Sequence, residues 1–316
     1  MKEEKKSSNE THAWYSPSSS SRWLYCTKSL VLPQKPYQTN EFAQRGTALH
    51  LLAEKILKGK LTKPSYKNYE WTEEDLNETV KPYVDYVNDI KNKTNPKTTH
   101  LFLEQRVFID LKCWGTVDAL IYDEETKVLN VIDLKAGKGV FVHNNDNLQL
   151  AVYAIGAINF LRKKKMLVDK IFVHIVQPAL DNITSQELFK KDLKVFRNKI
   201  LETMEKVENG DTVYSPSEDR CRWCNVVECP KLQEIATKAC EADFRSISLS
   251  EKMDMVEPLK AFIKRTENQV YTALDVGEEV GDYYLRPTAP RRYFIEEKKA
   301  RKFLKGLGCS KKEVYS

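Results

Sequence analysis

The sequence predicts a mixed α/β fold, a β-sheet with helices on both faces, and three observations carry that expectation. An apolar stripe at Leu49, Leu52, Ala53, Ile56 and Leu57 has helical spacing. Three strand-like runs rich in Val, Ile, Leu and Tyr follow it, between residues 101 and 135. A second helical pattern then separates the third run from a fourth strand, Lys170 to Gln177. Helix, three strands, helix and strand in that order give a mixed sheet covered on both sides.

The elements follow in chain order. Residues 1–17, opening MKEEKKSSNE, are polar and basic with few anchors and predict a mobile tail. Ser18 to Ser21 cap a short amphipathic turn that reaches Cys26. The first long helix covers 45–57 and stops at Gly59; another over 72–92 stands as an insertion ahead of the sheet. Leu101 to Ile109 supply the first strand. The segment GTVDALIYDEETKVLNVIDLK, Gly115 to Lys135, is a hairpin whose loop is Asp123-Glu124-Glu125-Thr126-Lys127. A helix over 146–164, with Asn145 or Asp146 as its cap, precedes the strand that ends at Pro178. A helix over 185–208 leads to Asn209-Gly210. Beyond it lies a long amphipathic helix, Ser250 to Leu274, kinked or restarted at Pro258. Turns and one hairpin from 277 to 292 and a basic helix over 296–306 complete the chain. The implied division is a tail (1–17), a core (18–245) and a helical, basic C-terminal extension (246–316).

Composition narrows the function classes. No run approaches the ~20 apolar residues that a spanning helix needs, so no membrane partner is expected. No internal repeat and no nucleotide-binding glycine loop is evident. The net charge of +6 permits nucleic-acid binding without establishing it, since affinity follows local clusters. Such clusters occur at Arg162-Lys163-Lys164-Lys165, from Lys190 to Lys199, at Arg291-Arg292 and from Lys298 to Lys305. A solvated helix face is the commoner meaning of each; together they can also line a groove that tracks phosphates.

The hairpin carries the chemistry. Asp133 and Lys135 fall on one face of their strand and Leu134 on the other, while Thr116 and Asp118 share a face of the preceding strand. Two carboxylates and an ammonium on neighbouring strands form a charged nest that an apolar core does not tolerate without purpose. Two acidic ligands can hold Mg²⁺ or Mn²⁺, and the lysine can orient a water for hydrolysis of a phosphodiester. Upstream, His50 and Glu54 lie one helical turn apart; a neutral imidazole is a competent ligand, and a carboxylate beside it can orient it. Downstream, Gln149 and Tyr153 project from one side of their helix, where they can hydrogen-bond a phosphate, a base edge or a water.

Seven cysteines stand at 26, 113, 221, 224, 229, 240 and 309. No hydrophobic signal segment opens the chain, so a reducing cytoplasm is the expected compartment and a disulfide framework is not expected. Cys221-Arg-Trp-Cys224-Asn-Val-Val-Glu-Cys229-Pro230 packs three thiols into nine residues, a density that suits Zn²⁺ or an iron–sulfur cluster. With a single Cys-x-x-Cys knuckle, a [4Fe–4S] site with a distant fourth ligand fits better than a zinc ribbon. Cys26 is the candidate fourth ligand. Cys113 and Cys240 are alternatives that read better as small buried hydrophobes, and Cys309 as a free thiol. Trp23, Trp114 and Trp223 read as packing shields around these positions.

Gly46-Thr47-x-x-His50, Gly115-x-x-Asp118, Asp133-x-Lys135 and Gln149-x-x-x-Tyr153, in that order, resemble the RecB-like branch of the PD-(D/E)XK nucleases. The resemblance implies a nuclease core with a cysteine-cluster staple. It makes His50, Asp118, Asp133 and the Leu134 carbonyl the metal ligands, Lys135 the catalytic lysine, and Gln149 and Tyr153 substrate-side residues. One cysteine before the core and three after it resemble the CRISPR-associated and AddB-type iron–sulfur exonucleases. The Ser-Ser-Ser-Arg-Trp-Leu-x-Cys opening is similar to an uncharacterised phage and prophage family classed as RecB-like. These likenesses imply a Mg²⁺- or Mn²⁺-dependent DNA exonuclease carrying [4Fe–4S], acting in phage DNA processing or recombination. A recombination or helicase partner, or a second copy of the chain, would accompany it. The competing expectation is a nuclease-fold DNA-binding subunit that no longer cleaves and holds a structural zinc or iron–sulfur site.

Overall fold

The computed structural model of the chain describes residues 13–35, 41–60, 71–137, 140–222, 224–243, 245–275, 277–286 and 297–308. Five strands form one mixed sheet in the order β1-β2-β3-β4-β5: Thr99–Phe108, Trp114–Asp123, Val128–Leu134, Lys170–Gln177 and Asn182–Leu188. β1, β2 and β3 are an antiparallel meander, β3 and β4 run parallel, and β5 returns antiparallel to β4. The parallel step needs a crossover, and the helix α6, Leu148–Lys163, supplies it.

Helices cover both faces. Before the sheet come α1 (Ser20–Trp23), α2 (Lys28–Val31), α3 (Glu41–Leu57), α4 (Glu73–Asp75) and α5 (Lys81–Asn92), with one π-helical turn, Leu76–Val80, joining the last two. After it come α7 (Lys190–Glu208), α8 (Glu218–Arg222), α9 (Pro230–Glu241), α10 (Leu249–Asp275) and α11 (Glu297–Gly306). On one face Leu120, Tyr122, Leu129, Val131, Ile171 and Val173 meet α6, α7 and the N-terminal Tyr15 and Trp23. On the other, Ala119, Ile121, Ile132, Leu134 and Val176 meet Leu49 and Leu52 of α3 and Tyr83 and Val87 of α5. Full burial of each such large side chain stabilises the fold by roughly 1.5–3 kcal/mol. The alternation read in the hairpin is therefore what divides the core in two.

Several elements differ from expectation. The helix predicted from 185 begins only at Lys190, because Asn182–Leu188 is an edge strand. Asp181, in a left-handed conformation at φ 48°, turns the chain back after Pro178, and the polar residues of β5 suit a half-covered edge. The cap of α6 is Asn147, whose side chain accepts the Leu150 amide, rather than Asn145 or Asp146. The long α10 does not restart at Pro258 but passes through it as one helix. Residues 1–12 of the expected tail lie outside the described residues, whereas Tyr15 is buried edge-on against Trp23. Among the described residues no helix is long and apolar enough to cross a membrane.

Candidate functional site

β2 and β3 pair from Asp123↔Val128 only as far as Ala119↔Ile132, and the site lies where they part. Asp118, one residue past the last pair, accepts the Leu134 amide on its Oδ2 at 2.6 Å and so replaces the missing ladder bond. Its Oδ1 lies 3.0 Å from Nδ1 of His50, brought in by α3 from one face of the sheet. Burial disfavours the imidazolium, but the charge and hydrogen bond of Asp118, then Glu104 and Asp133, outweigh it and lift His50 to about 9.

From the opposite face, α6 contributes Gln149 and Tyr153. Lys135 Nζ donates to Gln149 Oε1 at 2.9 Å, Gln149 Nε2 donates to Asp133 Oδ1 at 3.2 Å, and the same nitrogen reaches the Tyr153 hydroxyl at 3.2 Å. Lys135 Nζ also lies 2.9 Å from Asp133 Oδ2, which closes a ring of three side chains. Oδ2 is thus buried with the Lys135 ammonium as its counter-charge. Burial pushes the Asp133 carboxyl up; Lys135 opposes the shift and Asp118 adds to it. Asp133 and Lys135 thus share a face as expected, and Leu134 packs in the other core layer.

Two residues join that the sequence did not single out. Glu104 sits across from Asp118, between the pairs Leu103↔Ala119 and Gln105↔Val117, with its backbone at φ 48°. A non-glycine residue held left-handed inside a strand is strained, and such strain concentrates at functional sites. Glu104, Asp118 and His50 bring ligand atoms within 4.8 Å of one another. Burial first, then the Asp118 charge, pushes Glu104 up to about 7 against the pull of His50. The second is Tyr83 of α5, which lines the same small cavity with His50, Glu54 and Asp118, its hydroxyl buried without a hydrogen-bond partner. Glu54 pairs with Lys58, so the orienting partner of His50 is Asp118 and not the carboxylate one turn away.

Gly115 has a contact reason: a Cβ there would meet Pro17 Cγ at 2.6 Å and the Tyr153 ring at 2.8 Å. Behind the site, buried Gln177 anchors the segment between Lys135 and Gln149. It accepts the Val142 amide and donates to the carbonyls of Gly137 and Val140.

The cysteines gather elsewhere. Cys26, Cys221, Cys224 and Cys229 all line one cavity, with Val226, Leu232 and Arg265 around them. Burial lifts the Cys26 thiol and raises Cys221 to about 11. Cys113 is fully buried and burial pushes it up to about 12, as suits a small hydrophobe, whereas Cys240 is exposed on α9 and corrects the expectation of burial there. Trp23 is buried, and Trp114 lies under the Arg106 guanidinium at 4.2 Å. Cys309 and Trp223 lie outside the described residues.

The molecule is thus a mixed α/β protein with a carboxylate–imidazole–lysine site at a sheet split and a separate cysteine-lined cavity. Over residues 12–316 it matches, and belongs to, the family described as protein of unknown function (DUF2800). Among solved structures it is similar to the crystal structure of SSO0001, at 18% identity over 59% of this chain and 98% of that one. The TM-score of that likeness is 0.24, too low to carry an argument.

Proposed function

We propose that the protein is a divalent-metal-dependent deoxyribonuclease of the RecB-like PD-(D/E)XK type. The observation that carries this reading is a pair of adjoining networks at the strand split, His50 with Asp118 and Glu104, and Lys135 with Asp133 and Gln149; Asp133 stands outside the group of three whose ligand atoms lie within 4.8 Å of one another. His50, Asp118, Asp133 and the Leu134 carbonyl would hold Mg²⁺ or Mn²⁺, with Glu104 as a further carboxylate. Hard oxygen donors with one imidazole suit these ions, and His50, Glu104 and Asp118 bring three such ligand atoms within 4.8 Å of one another. Such an ion supplies Lewis-acid charge against a phosphate oxygen and acidifies water. Asp133 and Gln149 hold the Lys135 ammonium where it can orient the attacking water, and Gln149 links it to Tyr153 on the substrate side.

For the cysteines, a [4Fe–4S] cluster held by Cys26, Cys221, Cys224 and Cys229 is the reading favoured over zinc. The single Cys-x-x-Cys knuckle, a third cysteine followed by Pro230 and a distant fourth thiol on the same cavity support that preference. The cluster would staple the N-terminal segment to the end of the core. Action on DNA ends in phage DNA processing or recombination, with a helicase-type partner or a second copy, completes the proposal.

The test is digestion of end-labelled linear and closed circular DNA with Mn²⁺, beside Asp133→Ala. Metal-dependent loss of the linear substrate by the wild type alone is expected. Equal degradation by Asp133→Ala overturns the catalytic assignment. Tight binding of intact DNA by the wild type, without cleavage, would select the DNA-binding subunit instead.

A further inference from the structure

A second polar cavity lies against the outer side of the cysteine segment, walled by α10. Its volume open to the centres of water molecules is about 140 Å³, several times the roughly 10–15 Å³ that a single water needs on that measure. Lys35, Arg222, Lys264 and Arg265 line it, with the amides of Asn268 and Gln269. One carboxylate, Glu218, faces these four cations.

Three distant stretches of chain are knit to make this wall. The Val227 amide donates to the Pro33 carbonyl at 2.8 Å, and the Lys35 amide to the Asn225 carbonyl at 2.7 Å. Arg265 Nη2 donates to the Val227 carbonyl at 2.9 Å, which ties α10 to the same segment and fixes the guanidinium at the cavity. Two of the cations are paired loosely with exposed carboxylates: Lys264 leans on Glu267 at 3.2 Å and Arg222 on Glu218 at 3.9 Å. Exposed pairs of this kind are weak and screened by salt, so a dianionic ligand exchanges for them readily. Asn225, Asn268 and Gln269 each offer a donor and an acceptor side by side, the pairing that reads the edge of a base.

We propose that this cavity is a nucleotide subsite: its cations take a phosphate and its amides meet the attached base. Two sources supply that chemistry, a free nucleotide and a nucleotide within a single strand. The inference goes beyond the cleavage reading and stands on binding alone. Because Cys221, Cys224 and Arg265 line this cavity and the cysteine cavity alike, an intact cysteine site is part of its wall.

The experiment uses the full-length protein in EDTA, so that no cleavage intervenes. Fluorescence anisotropy with a labelled, 5′-phosphorylated oligothymidylate is measured across a salt series, with thymidine monophosphate and inorganic phosphate as competitors. Lys35→Glu and Lys264→Glu change exposed side chains and should each lower affinity about 10-fold and reduce the salt slope by about one. Lys35→Gln and Lys264→Gln should lower it in the same direction, by less. Lys91→Glu with Lys93→Glu, exposed at the end of α5, should leave affinity within twofold. Displacement by the mononucleotide at millimolar concentration identifies a free nucleotide as the ligand; strand binding that resists it but is lost in the variants identifies a strand. Circular dichroism and metal content matching wild type establish that each variant is folded. The proposal is overturned if the folded Lys35 and Lys264 variants bind as wild type does, or if the α5 control loses as much affinity.

Discussion

The sheet site and the cysteine cavity are organised by opposite means. At the sheet, the side chains hold one another: Asp118 bonds His50 and the Leu134 amide, and Gln149 bridges Lys135, Asp133 and Tyr153. The cysteine cavity has four thiols on its wall, all of them free, and its segments are tied mainly by backbone contacts. The first is pre-organised by the protein's own hydrogen bonds, so removing one group should spoil chemistry while the fold persists. The second depends on whatever its thiols bind, so removing one group should spoil the fold.

The largest expected effect sharpens that contrast. Asp118→Ala removes the partner of His50, the acceptor for Leu134 and a proposed ligand together. Metal-dependent cleavage should fall by roughly 10²–10⁴-fold with near-wild-type circular dichroism. Next come the cysteines: Cys26→Ser or Cys224→Ser should bleach the anaerobically purified brown protein and lower its melting temperature, whereas Cys113→Ser, Cys240→Ser and Cys309→Ser should leave the colour. About four irons and four sulfides per chain are expected; one tightly held zinc in colourless protein would break the comparison on that side only.

A smaller effect concerns acid stability. His174 is buried between Asn130, at 3.0 Å from Nε2, and the Tyr86 hydroxyl, at 3.0 Å from Nδ1, and burial lowers it to about 4. The unfolded chain takes up this proton near 6.5 and the folded chain only near 4, so stability is present above 6.5 and lost as pH falls between those values. The loss should reach up to about 3 kcal/mol, read by urea midpoints at a series of pH values, and His174→Gln should flatten that dependence. The smallest effect is Tyr83→Phe. Deleting a buried hydroxyl with no partner should leave stability unchanged or raise it by up to about 1 kcal/mol, and any loss of turnover would then report the hydroxyl's place beside Asp118.

Much of this was legible in the sequence because it rests on local periodicity. Alternation placed Asp133 and Lys135 on one face, and helical spacing placed Gln149 beside Tyr153; both relations stand in the structure. Glu104 was not legible, because its role depends on strand register: only pairing with β2 sets it opposite Asp118, and only a left-handed backbone turns it there. Tyr83 was hidden in an ordinary amphipathic pattern, since a π-helical turn just before it shifts the face that α5 presents. β5 was lost for a related reason. An edge strand of Asn, Thr, Ser, Gln and Glu carries little apolar signal, and the helix that follows absorbed it.

The most direct test of the account is the initial rate of Mn²⁺-dependent cleavage of linear DNA by Lys135→Ala against wild type, with both proteins saturated in Mn²⁺. The ammonium contributes no ligand, so the account predicts unchanged Mn²⁺ binding and a rate lower by roughly 10²-fold or more. Equal rates at equal occupancy would contradict it, and with it the claim that the ring of Lys135, Asp133 and Gln149 is a catalytic centre.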